Sequence, residues 1–390
     1  MKAGWKTPKF GDVCELKKGK KPTLQTAGAE GVKPYLVAKY LRGAEPTDFA
    51  SVSDKNSVSV SANEIIIICD GSNSGETFLG FDGILSSTMA KIGHGNEIDN
   101  RFLMHFLDSL FEKFNAAKTG AAIPHLDLAA LRDEVLPLPP LPEQNRIVAI
   151  LDAAFDSIAT AKTNAEQNLQ NARALFESHL QKVFTERGVG WVETALGEVC
   201  DFENGDRGPN YPNRNEYVDS GIPWINTGHI QPDGTLSESE MNFITREKFD
   251  SLRSGKIQPG DLVYCLRGAT LGKTAIVDPL TIGAVASSLV IIRPSGKIES
   301  RFLYYFLTSP VGQQSIKAYE NGAAQPNLGA KSVAKYILAL PSLLEQRVLI
   351  SKLDALREET QRLESLYRQK LAALEELKKS LLHRAFSGQL

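Results

Sequence analysis

Cysteine and histidine are scarce in this sequence of 390 residues. None of the four cysteines (Cys14, Cys69, Cys200, Cys265) belongs to a CxxC pair or has a histidine nearby at zinc-ligand spacing. The six histidines are scattered, and none is placed for catalysis or metal binding beside a cysteine or carboxylate. These absences argue against a disulfide scaffold and a metal site, and predict buried thiols in a reducing cytoplasm.

Long apolar runs are also missing. The longest, Ile65–Cys69, has the length of a β-strand, so no membrane-spanning helix is predicted. The first ten residues carry lysines but no apolar stretch, which argues against a secretory signal. The average apolar and charged fractions favour an ordinary globular protein in the cytoplasm over a disordered one.

The net charge of −2 lacks the strong basic excess of many nucleic-acid-binding proteins. The charge is unevenly distributed, however. Residues 1–42 hold ten Lys or Arg against three Asp or Glu, whereas residues 193–250 are predominantly acidic. A DNA-binding function therefore implies that a partner supplies part of the phosphate contact.

Motifs of a self-sufficient enzyme are absent from the sequence. There is no glycine-rich cofactor loop between a strand and a helix, no Walker-type phosphate loop and no NPPY/F-type base-binding motif. The segments Gly71–Gly75 and Gly268–Gly272 are too short for a phosphate loop and lack its lysine-hydroxyl ending. We therefore predict no catalytic residues and no cofactor bound by this chain.

An internal duplication organises the chain. In the first half, Trp5, Gly11, Val13, Cys14 and Gly19 recur at constant offset as Trp191, Gly197, Val199, Cys200 and Gly205. The later matches keep the same order: Gly71–Gly75 with Gly268–Gly272, Arg101-Phe102-Leu103 with Arg301-Phe302-Leu303, Gly120–Pro124 with Gly322–Pro326, and Glu143-Gln144 with Glu345-Gln346. About half the chain has therefore been duplicated.

Each repeat combines short strands with an amphipathic helix. Turn residues separate β-rich runs, which we predict as strands: Tyr35–Ala38, Glu64–Cys69, Trp224–Thr227, Asp261–Leu266 and Ser288–Ile292. Apolar spacing predicts helices at Arg101–Phe114 and Arg301–Tyr319, with Asn100 and Ser300 as their N-caps. We predict a mixed α/β domain repeated once.

A proline-rich segment and a long helix end each repeat, at Leu136–Phe184 and Leu338–Phe386. Apolar residues alternate at spacings of three and four, as in a coiled coil, and the pattern slips at Ala165–Leu169 and at Leu363–Leu371. The first helix is rich in alanine where the second carries Leu or Tyr, which favours pairing within one chain. Separate helices that each pair between chains are the alternative.

The resulting domain boundaries are residues 1–142 and 188–344 for the globular domains, and 143–187 and 345–390 for the helices. The fold class is α+β: two tandem mixed α/β domains, each followed by a long helix. We predict that the two helices pair as an antiparallel coiled coil.

The ordered motifs resemble those of the specificity (S) subunit of type I restriction–modification systems. The resemblance rests on Pro139–Gln144, on Gly260–Val263 leading into Arg267–Lys273, on the Trp-x5-Gly opening of each half and on the Gly-Ala-Ala-x-Pro turn before each proline-rich segment. It covers nearly the whole chain. Asp70 departs from the family pattern, which has Arg or Lys before the glycine, and Leu344 replaces the proline found at Pro142.

The resemblance implies a subunit without chemistry of its own. Each globular half would recognise one half of an asymmetric, bipartite DNA target. Partner methyltransferase (M) subunits, using S-adenosylmethionine, would methylate adenine, and restriction (R) subunits would use ATP and magnesium. The duplication supports this division, because paired halves with pseudo-twofold symmetry suit two half-sites at fixed spacing.

Candidate DNA contacts are exposed-looking polar and basic residues near turns, since phosphate contacts position a protein and forked donors and acceptors read bases. In the first half they are Lys17, Lys18, Lys20, Lys21, Lys39, Arg42, Ser72, Asn73 and Ser74. In the second half they are Arg207, Arg214, Asn226, His229, Arg267, Thr270, Lys273, Gln325 and Asn327. The alternative is a solvated loop for the lysines and a structural turn around Pro326.

Two other functions remain open from the sequence. One is a stand-alone DNA-binding or scaffold protein whose coiled coil assembles other chains. The other is the specificity subunit of a restriction system whose methylase and nuclease are fused. Glu143 and Glu345 are explained by the favourable position of a carboxylate at a helix N-terminus, although contact with a partner is an alternative.

Overall fold

The structure, a computed structural model, describes residues 4–116, 125–320 and 327–390. Its helices are α1 (Phe10–Val13), α2 (Ala38–Leu41), α3 (Asn100–Ala116), α4 (Leu128–Asp133), α5 (Leu141–Thr185), α6 (Arg246–Ser251), α7 (Ser300–Thr308), α8 (Pro310–Tyr319), α9 (Ala330–Val333) and α10 (Leu343–Ser387). The chain forms two compact units. Unit 1 is Met1–Glu166 with Arg368–Leu390, and unit 2 is Gln167–Tyr367.

Unit 1 contains two sheets. Its strands are β1 (Cys14–Lys18), β2 (Leu24–Gln25), β3 (Val32–Leu36), β4 (Phe49–Ser51), β5 (Ser59–Val60), β6 (Ile65–Ile68), β7 (Thr77–Phe78), β8 (Gly83–Leu85) and β9 (Met89–His94). One sheet has the order β1-β9-β6-β7 and is antiparallel. The other has the order β2-β4-β3-β8-β5, with β3 and β8 parallel.

Unit 2 repeats the four-stranded sheet and the parallel strand pair of unit 1. Its strands are β10 (Val192–Ala195), β11 (Cys200–Asn204), β12 (Ile222–Ile225), β13 (Asn242–Ile244), β14 (Leu262–Cys265), β15 (Thr274–Ile276), β16 (Ala284–Val285), β17 (Leu289–Pro294) and β18 (Ile337–Leu340). The order β11-β17-β14-β15 matches β1-β9-β6-β7, and β12 pairs in parallel with β16 as β3 does with β8. The predicted duplication of a mixed α/β domain is therefore confirmed.

Each unit also has one close backbone contact that only glycine permits. A Cβ atom at Gly19 would clash with the carbonyl oxygen of Ser86, and one at Gly205 would clash with that of Ala286. The amide of Gly19 donates to the Met89 carbonyl at 2.9 Å, as that of Gly205 does to Leu289 at 3.3 Å. These glycines recur because the backbones approach closely at both places.

Segments of both long helices complete each unit. In unit 1, Ile147 and Leu151 of α5 share a core with Leu382 and Phe386 of α10, and Lys162 pairs with Glu375 at 2.6 Å. Residue numbers rise along α5 as they fall along α10, so the segments are antiparallel. Such pairing is consistent with the predicted antiparallel coiled coil within one chain.

Unit 2 uses the remaining segments in the same way. Leu180 of α5 and Leu353 of α10 share its core, and Arg173 pairs with Glu364 at 3.0 Å. The division between the units falls after Glu166 in α5 and after Tyr367 in α10, within the predicted slips. Each compact unit therefore combines one globular segment with parts of both helices. The boundaries 1–142, 143–187, 188–344 and 345–390 stay a prediction.

The structure corrects three details of the predicted helices. Asp99, not Asn100, caps α3, because its carboxylate accepts from the Phe102 amide at 2.9 Å. The Ser300 hydroxyl instead donates to the Gly260 carbonyl at 2.6 Å. The predicted helix Arg301–Tyr319 is interrupted at Ser309, which caps a new helix beginning at Pro310.

The buried face of the second long helix also differs from the predicted one near the end of the helix. The spacing of three and four residues predicts that Leu377 faces the partner helix, but Leu377 is exposed, whereas Leu382 and Ala385 are buried. All four cysteines are buried and unpaired, as predicted. Burial raises the pKa of Cys14 and Cys200 to about 12 and that of Cys69 to about 11.

Candidate nucleic-acid interface

Each unit has one glycine turn at the end of its four-stranded sheet, which is called the central sheet below, and the two turns are equivalent. Gly71–Gly75 links β6 to β7, and Gly268–Gly272 links β14 to β15. The first and last glycine of each turn have positive φ, between 73° and 114°, where a side chain is strained. The Gly75 amide donates to the Ile68 carbonyl at 2.8 Å, and the Gly272 amide donates to the Cys265 carbonyl at 2.9 Å.

A returning segment lies beside each turn. Asp70 forms an isolated antiparallel bridge with His125, and Arg267 forms the same bridge with Asn327. The Leu126 and Leu328 amides that follow donate to the carbonyls of Cys69 and Leu266 at 2.7 and 2.9 Å. The backbone thus places two side chains together at each turn: Asp70 and His125 in unit 1, and Arg267 and Asn327 in unit 2.

The side chains at these equivalent positions differ in charge. In unit 1, the Asp70 carboxylate accepts from His125 Nδ1 at 2.8 Å and forms an ion pair with Lys18 at 3.2 Å. In unit 2, Arg267 and Asn327 are exposed. An anionic centre between two donors in one unit therefore corresponds to a guanidinium and an amide in the other.

Other candidates surround the unit 1 turn. Lys17 and Lys18 end β1, and Lys20 and Lys21 follow it; all four are exposed. On the short helix α2, Lys39 is exposed, and Arg42 directly after it forms an ion pair with Glu76, just beyond the glycine turn. The hydrogen bond to Glu76 raises the pKa of Arg42. Ser72 and Asn73 are exposed at the turn itself.

The unit 2 candidates are more dispersed. Exposed Lys273 follows the turn, and Thr270 lies within it, 3.3 Å from the Cys265 sulfur. Arg214 is exposed on a short 3-10 turn, and Arg207 donates to the Ser287 carbonyl at 3.3 Å. Asp206 anchors the Arg207 loop by accepting from the amides of Arg253 and Gly208, which lower its pKa.

Several predicted contacts are corrected. Ser74 is 0% exposed and His229 is 3% exposed, so neither side chain lies on the surface where DNA would contact it. Burial lowers the pKa of His229, and its Nδ1 accepts from the Asn226 amide at 3.0 Å. The Asn226 side chain accepts from the Gly228 amide at 2.9 Å and so caps this local turn. Gln325 lies outside the described residues.

Sequence reasoning missed His125. The signal was present, because the match of Gly120–Pro124 with Gly322–Pro326 places His125 opposite the candidate Asn327. The bridges at the two glycine turns confirm that these residues are equivalent.

Sequence reasoning also missed how each long helix is attached. Gln144 is fully buried; its Oε1 accepts from the Asp99 amide at 2.8 Å, and its Nε2 donates to the carbonyls of Glu97 and Pro139, both at 2.8 Å. Gln346 makes the same three bonds in unit 2, to Glu299, Lys297 and Pro341. Each amide therefore fixes the helix start against the globular segment that precedes it.

Among the described residues, no group of three or more His, Cys, Asp or Glu side chains could hold a metal ion. No helix in the described segments is long and apolar enough to cross a membrane.

The profile of the type I restriction modification DNA specificity domain matches the chain twice, over residues 2–170 and 188–375. The chain is 28% identical over 409 residues to the type I restriction enzyme MjaVIII specificity subunit of Methanocaldococcus jannaschii, covering 99% of this chain and 93% of that protein. It is 25% identical over 352 residues to the EcoBI specificity subunit of Escherichia coli, covering 84% of this chain and 73% of that protein.

Solved structures share the fold. The HsdS subunit from Thermoanaerobacter tengcongensis superposes with a TM-score of 0.64 and 21% identity, over 100% of this chain and 98% of that one. A chain from a study of complex assembly and conformational transition of the type I R-M system superposes with a TM-score of 0.78 and 20% identity, over 100% and 99%. The duplicated profile match spans most of the sequence, and the chain therefore belongs to the type I restriction–modification specificity subunits.

Proposed function

We propose that this chain reads an asymmetric, bipartite DNA sequence, one half-site per recognition domain, and directs partner subunits to it. The observation that carries the proposal is the pair of glycine turns with equivalent backbones and opposite charges at Asp70 and Arg267. A shared frame docks both domains in the same manner, while different side chains select different bases. The two half-sites then differ in sequence.

The catalytic work belongs to partners in this proposal. Methyltransferase (M) subunits bring S-adenosylmethionine and methylate adenine, and restriction (R) subunits bring ATP and magnesium. The complex acts in the cytoplasm, where buried free thiols such as Cys14 stay reduced. Basic partner surfaces supply phosphate contacts that a chain of net charge −2 does not provide in full.

The exposed candidates divide by chemistry. Lys17, Lys20, Lys21 and Lys39 contact phosphates, because a flexible ammonium group binds as a point charge. Arg42, Arg207, Arg214 and Lys273 supply further cationic contacts at the loops that carry them. The exposed polar side chains of Ser72, Asn73 and Asn327, and the half-buried side chain of Thr270, lie next to the bases in this proposal.

Methylome sequencing tests the proposal. Cells carrying the cognate methyltransferase should show an asymmetric bipartite adenine-methylation motif only when this chain is also expressed. Absence of a chain-dependent motif would contradict the proposal. Sequence-specific binding by the purified chain without such methylation would favour a stand-alone DNA-binding protein.

Two rearrangements test the division of labour. Exchanging residues 1–142 for the corresponding domain of another specificity subunit should change one half-site only. Inserting four residues at Ala165–Leu169, with a matching insertion in α10, should change the number of bases between the half-sites and leave both half-sites unchanged. If a half-site changed while the number of bases between the half-sites stayed the same, the helices would not set that distance.

A further inference from the structure

The Asp70 carboxylate organises two neighbouring side chains of unit 1. Its Oδ1 accepts from His125 Nδ1 at 2.8 Å and from Lys18 Nζ at 3.4 Å, and its Oδ2 lies 3.2 Å from Lys18 Nζ. The Asp70 side chain is only 20% exposed, whereas those of Lys18 and His125 are 47% and 63% exposed. The carboxylate is therefore an anchor beneath a pair of side chains that reach the solvent.

The anchor decides which nitrogen of His125 carries the proton. An ionised carboxylate only accepts hydrogen bonds, so Nδ1 must be the donor in this contact. In the neutral imidazole the other ring nitrogen, Nε2, is then an acceptor. Nε2 makes no hydrogen bond to any residue that the structure describes.

Lys18 and His125 thus present a donor and an acceptor side by side. In the major groove, adenine offers N7 as an acceptor and the N6 amino group as a donor. Lys18 Nζ can donate to N7 while His125 Nε2 accepts from N6. Guanine offers two acceptors, N7 and O6, and would leave His125 without a donor.

Unit 2 presents the opposite chemistry at the equivalent turn. Arg267 replaces the anchor, and Asn327 replaces His125. Arg267 is exposed, and its guanidinium makes no ion pair with any described residue. Its two forked donors match guanine O6 and N7.

We propose that the Lys18–Asp70–His125 group reads one adenine of the first half-site, and that Arg267 reads one guanine of the second. Lys18 and His125 contact the base, whereas Asp70 is a positioning residue that sets the imidazole tautomer. This inference rests on the proposed function, because it assigns base contacts within the bipartite target.

The experiment maps methylation motifs in cells that express the full chain with its cognate methyltransferase. His125→Ala should reduce the preference for adenine at one position of the first half-site about fivefold to tenfold, as expected for one lost hydrogen bond. Asp70→Ala should have the same effect. Asp70→Asn should largely retain the preference, since an amide oxygen still accepts from Nδ1. The second half-site and the gap should not change.

Arg267→Ala provides the reciprocal test: it should reduce the preference for guanine in the second half-site about tenfold or more, because a bidentate contact is lost. Asp82→Ala is the matched control, since Asp82 is an exposed carboxylate of unit 1 that pairs with Lys33 at 2.8 Å. It should leave both half-sites unchanged.

The outcomes separate the inference from the proposed function. If the unaltered chain directs no motif, the proposed function fails. If it directs a motif and His125→Ala leaves the first half-site unchanged, only the inference is overturned. If His125→Ala abolishes methylation, the purified complex is tested on oligonucleotides with each base at the position; retained selection of adenine overturns the inference, and its selective loss supports it.

Discussion

Units 1 and 2 share a backbone frame but differ in the side chains placed on it. Both have a position beside a backbone carbonyl where only glycine fits. Both also have a buried glutamine at the start of the long helix and a turn that begins and ends with a glycine of positive φ. At matched positions of the central sheet, unit 1 has Ile67 where unit 2 has Tyr264. The two units therefore share their backbone contacts, whereas their core and their exposed turn differ in side chains.

The largest effect should come from the phenylalanine at the end of each long helix. In unit 1, the ring centroid of Phe386 lies 5.3 Å from that of Phe102 and 5.5 Å from that of Phe106. In unit 2, the ring centroid of Phe184 lies 5.2 Å from that of Phe302 and 5.5 Å from that of Phe306. Phe386→Ala should lower the free energy of unfolding of unit 1 by about 3–4 kcal/mol.

Hydrogen exchange of the full chain measures this effect in each unit. Phe386→Ala should increase exchange in α3 and Phe184→Ala in α7. Leu175→Ala, at an exposed position of α5, is the control and should change neither. Equal loss of protection in both units from either substitution would contradict the separation of the two cores.

The next largest effect should come from an ion pair of unit 2, compared with the equivalent ion pair of unit 1. The acidic residue of each pair directly precedes an equivalent strand, β14 or β6. In unit 2, Asp261 has a side chain that is 2% exposed and accepts from Arg293 Nε and Nη2, both at 2.9 Å. In unit 1, Glu64 pairs with Lys91 at 2.7 Å, and both side chains are more than 20% exposed. The hydrogen bond to Asp261 raises the pKa of Arg293.

Arg293→Met should therefore destabilise unit 2 by about 3 kcal/mol, because it leaves a buried carboxylate without its cation. Lys91→Met should cost unit 1 about 1 kcal/mol, since its partner remains accessible to water. Denaturant unfolding of the two variants compares them. A smaller loss for Arg293→Met than for Lys91→Met would refute the comparison.

A third test concerns the buried glutamines, where the two units should behave alike. Gln144→Leu removes the partner of one amide and two carbonyls, and should destabilise unit 1 by about 2 kcal/mol. Gln346→Leu should do the same in unit 2. Thermal unfolding with hydrogen exchange measures both, and Gln170→Leu on the exposed face of α5 is the matched control. No change in Gln144→Leu would show that these bonds add nothing to stability.

The smallest effect comes from an acid that unit 2 lacks. Asp108 of α3 lies beside a groove of about 1000 Å³ in unit 1, and the equivalent residue in α7 is Thr308. Burial raises the pKa of Asp108 above 3.8, although Lys378 acts in the opposite direction. Folding therefore favours the protonated acid, and this contribution to stability falls as pH rises through and above 3.8.

Asp108→Asn should consequently stabilise unit 1 at pH 7 and have little effect near pH 3.5. Urea unfolding at the two pH values checks the prediction. Asp156→Asn, at an exposed position of α5, is the control and should show no such difference. A gain of equal size at both pH values would show that the charge of Asp108 is not its cause.

Much of the fold was predictable because it repeats. Internal matches and strand patterning located the duplicated domain, and the spacing of apolar residues located both long helices within a few residues. The break at Ser309-Pro310 was missed because apolar periodicity continues across it. The cap of α3 was misassigned because Asp99 and Asn100 are both good cap residues, and only the backbone decides which one precedes the helix.

The candidate site was less predictable, since residue type does not report exposure. Ser74 was selected for its place in a polar turn, yet the packing of that turn buries it. His229 was selected as a polar residue, yet its side chain is buried. The repeat makes His125 equivalent to Asn327, but its contact with Asp70 joins residues far apart in the chain and depends on the strand-like bridge.

The sequence by itself determined the duplication, the mixed α/β class and the family, because these depend on the order and spacing of residues along the chain. The tertiary structure alone decided which residues meet. Phe386 packs in the core of the first repeat, and buried Gln144 bonds the start of α5 to the segment before α3. Asp70 contacts both Lys18 and His125. Contacts between residues far apart in sequence depend on strand register and helix packing, which local patterns do not encode.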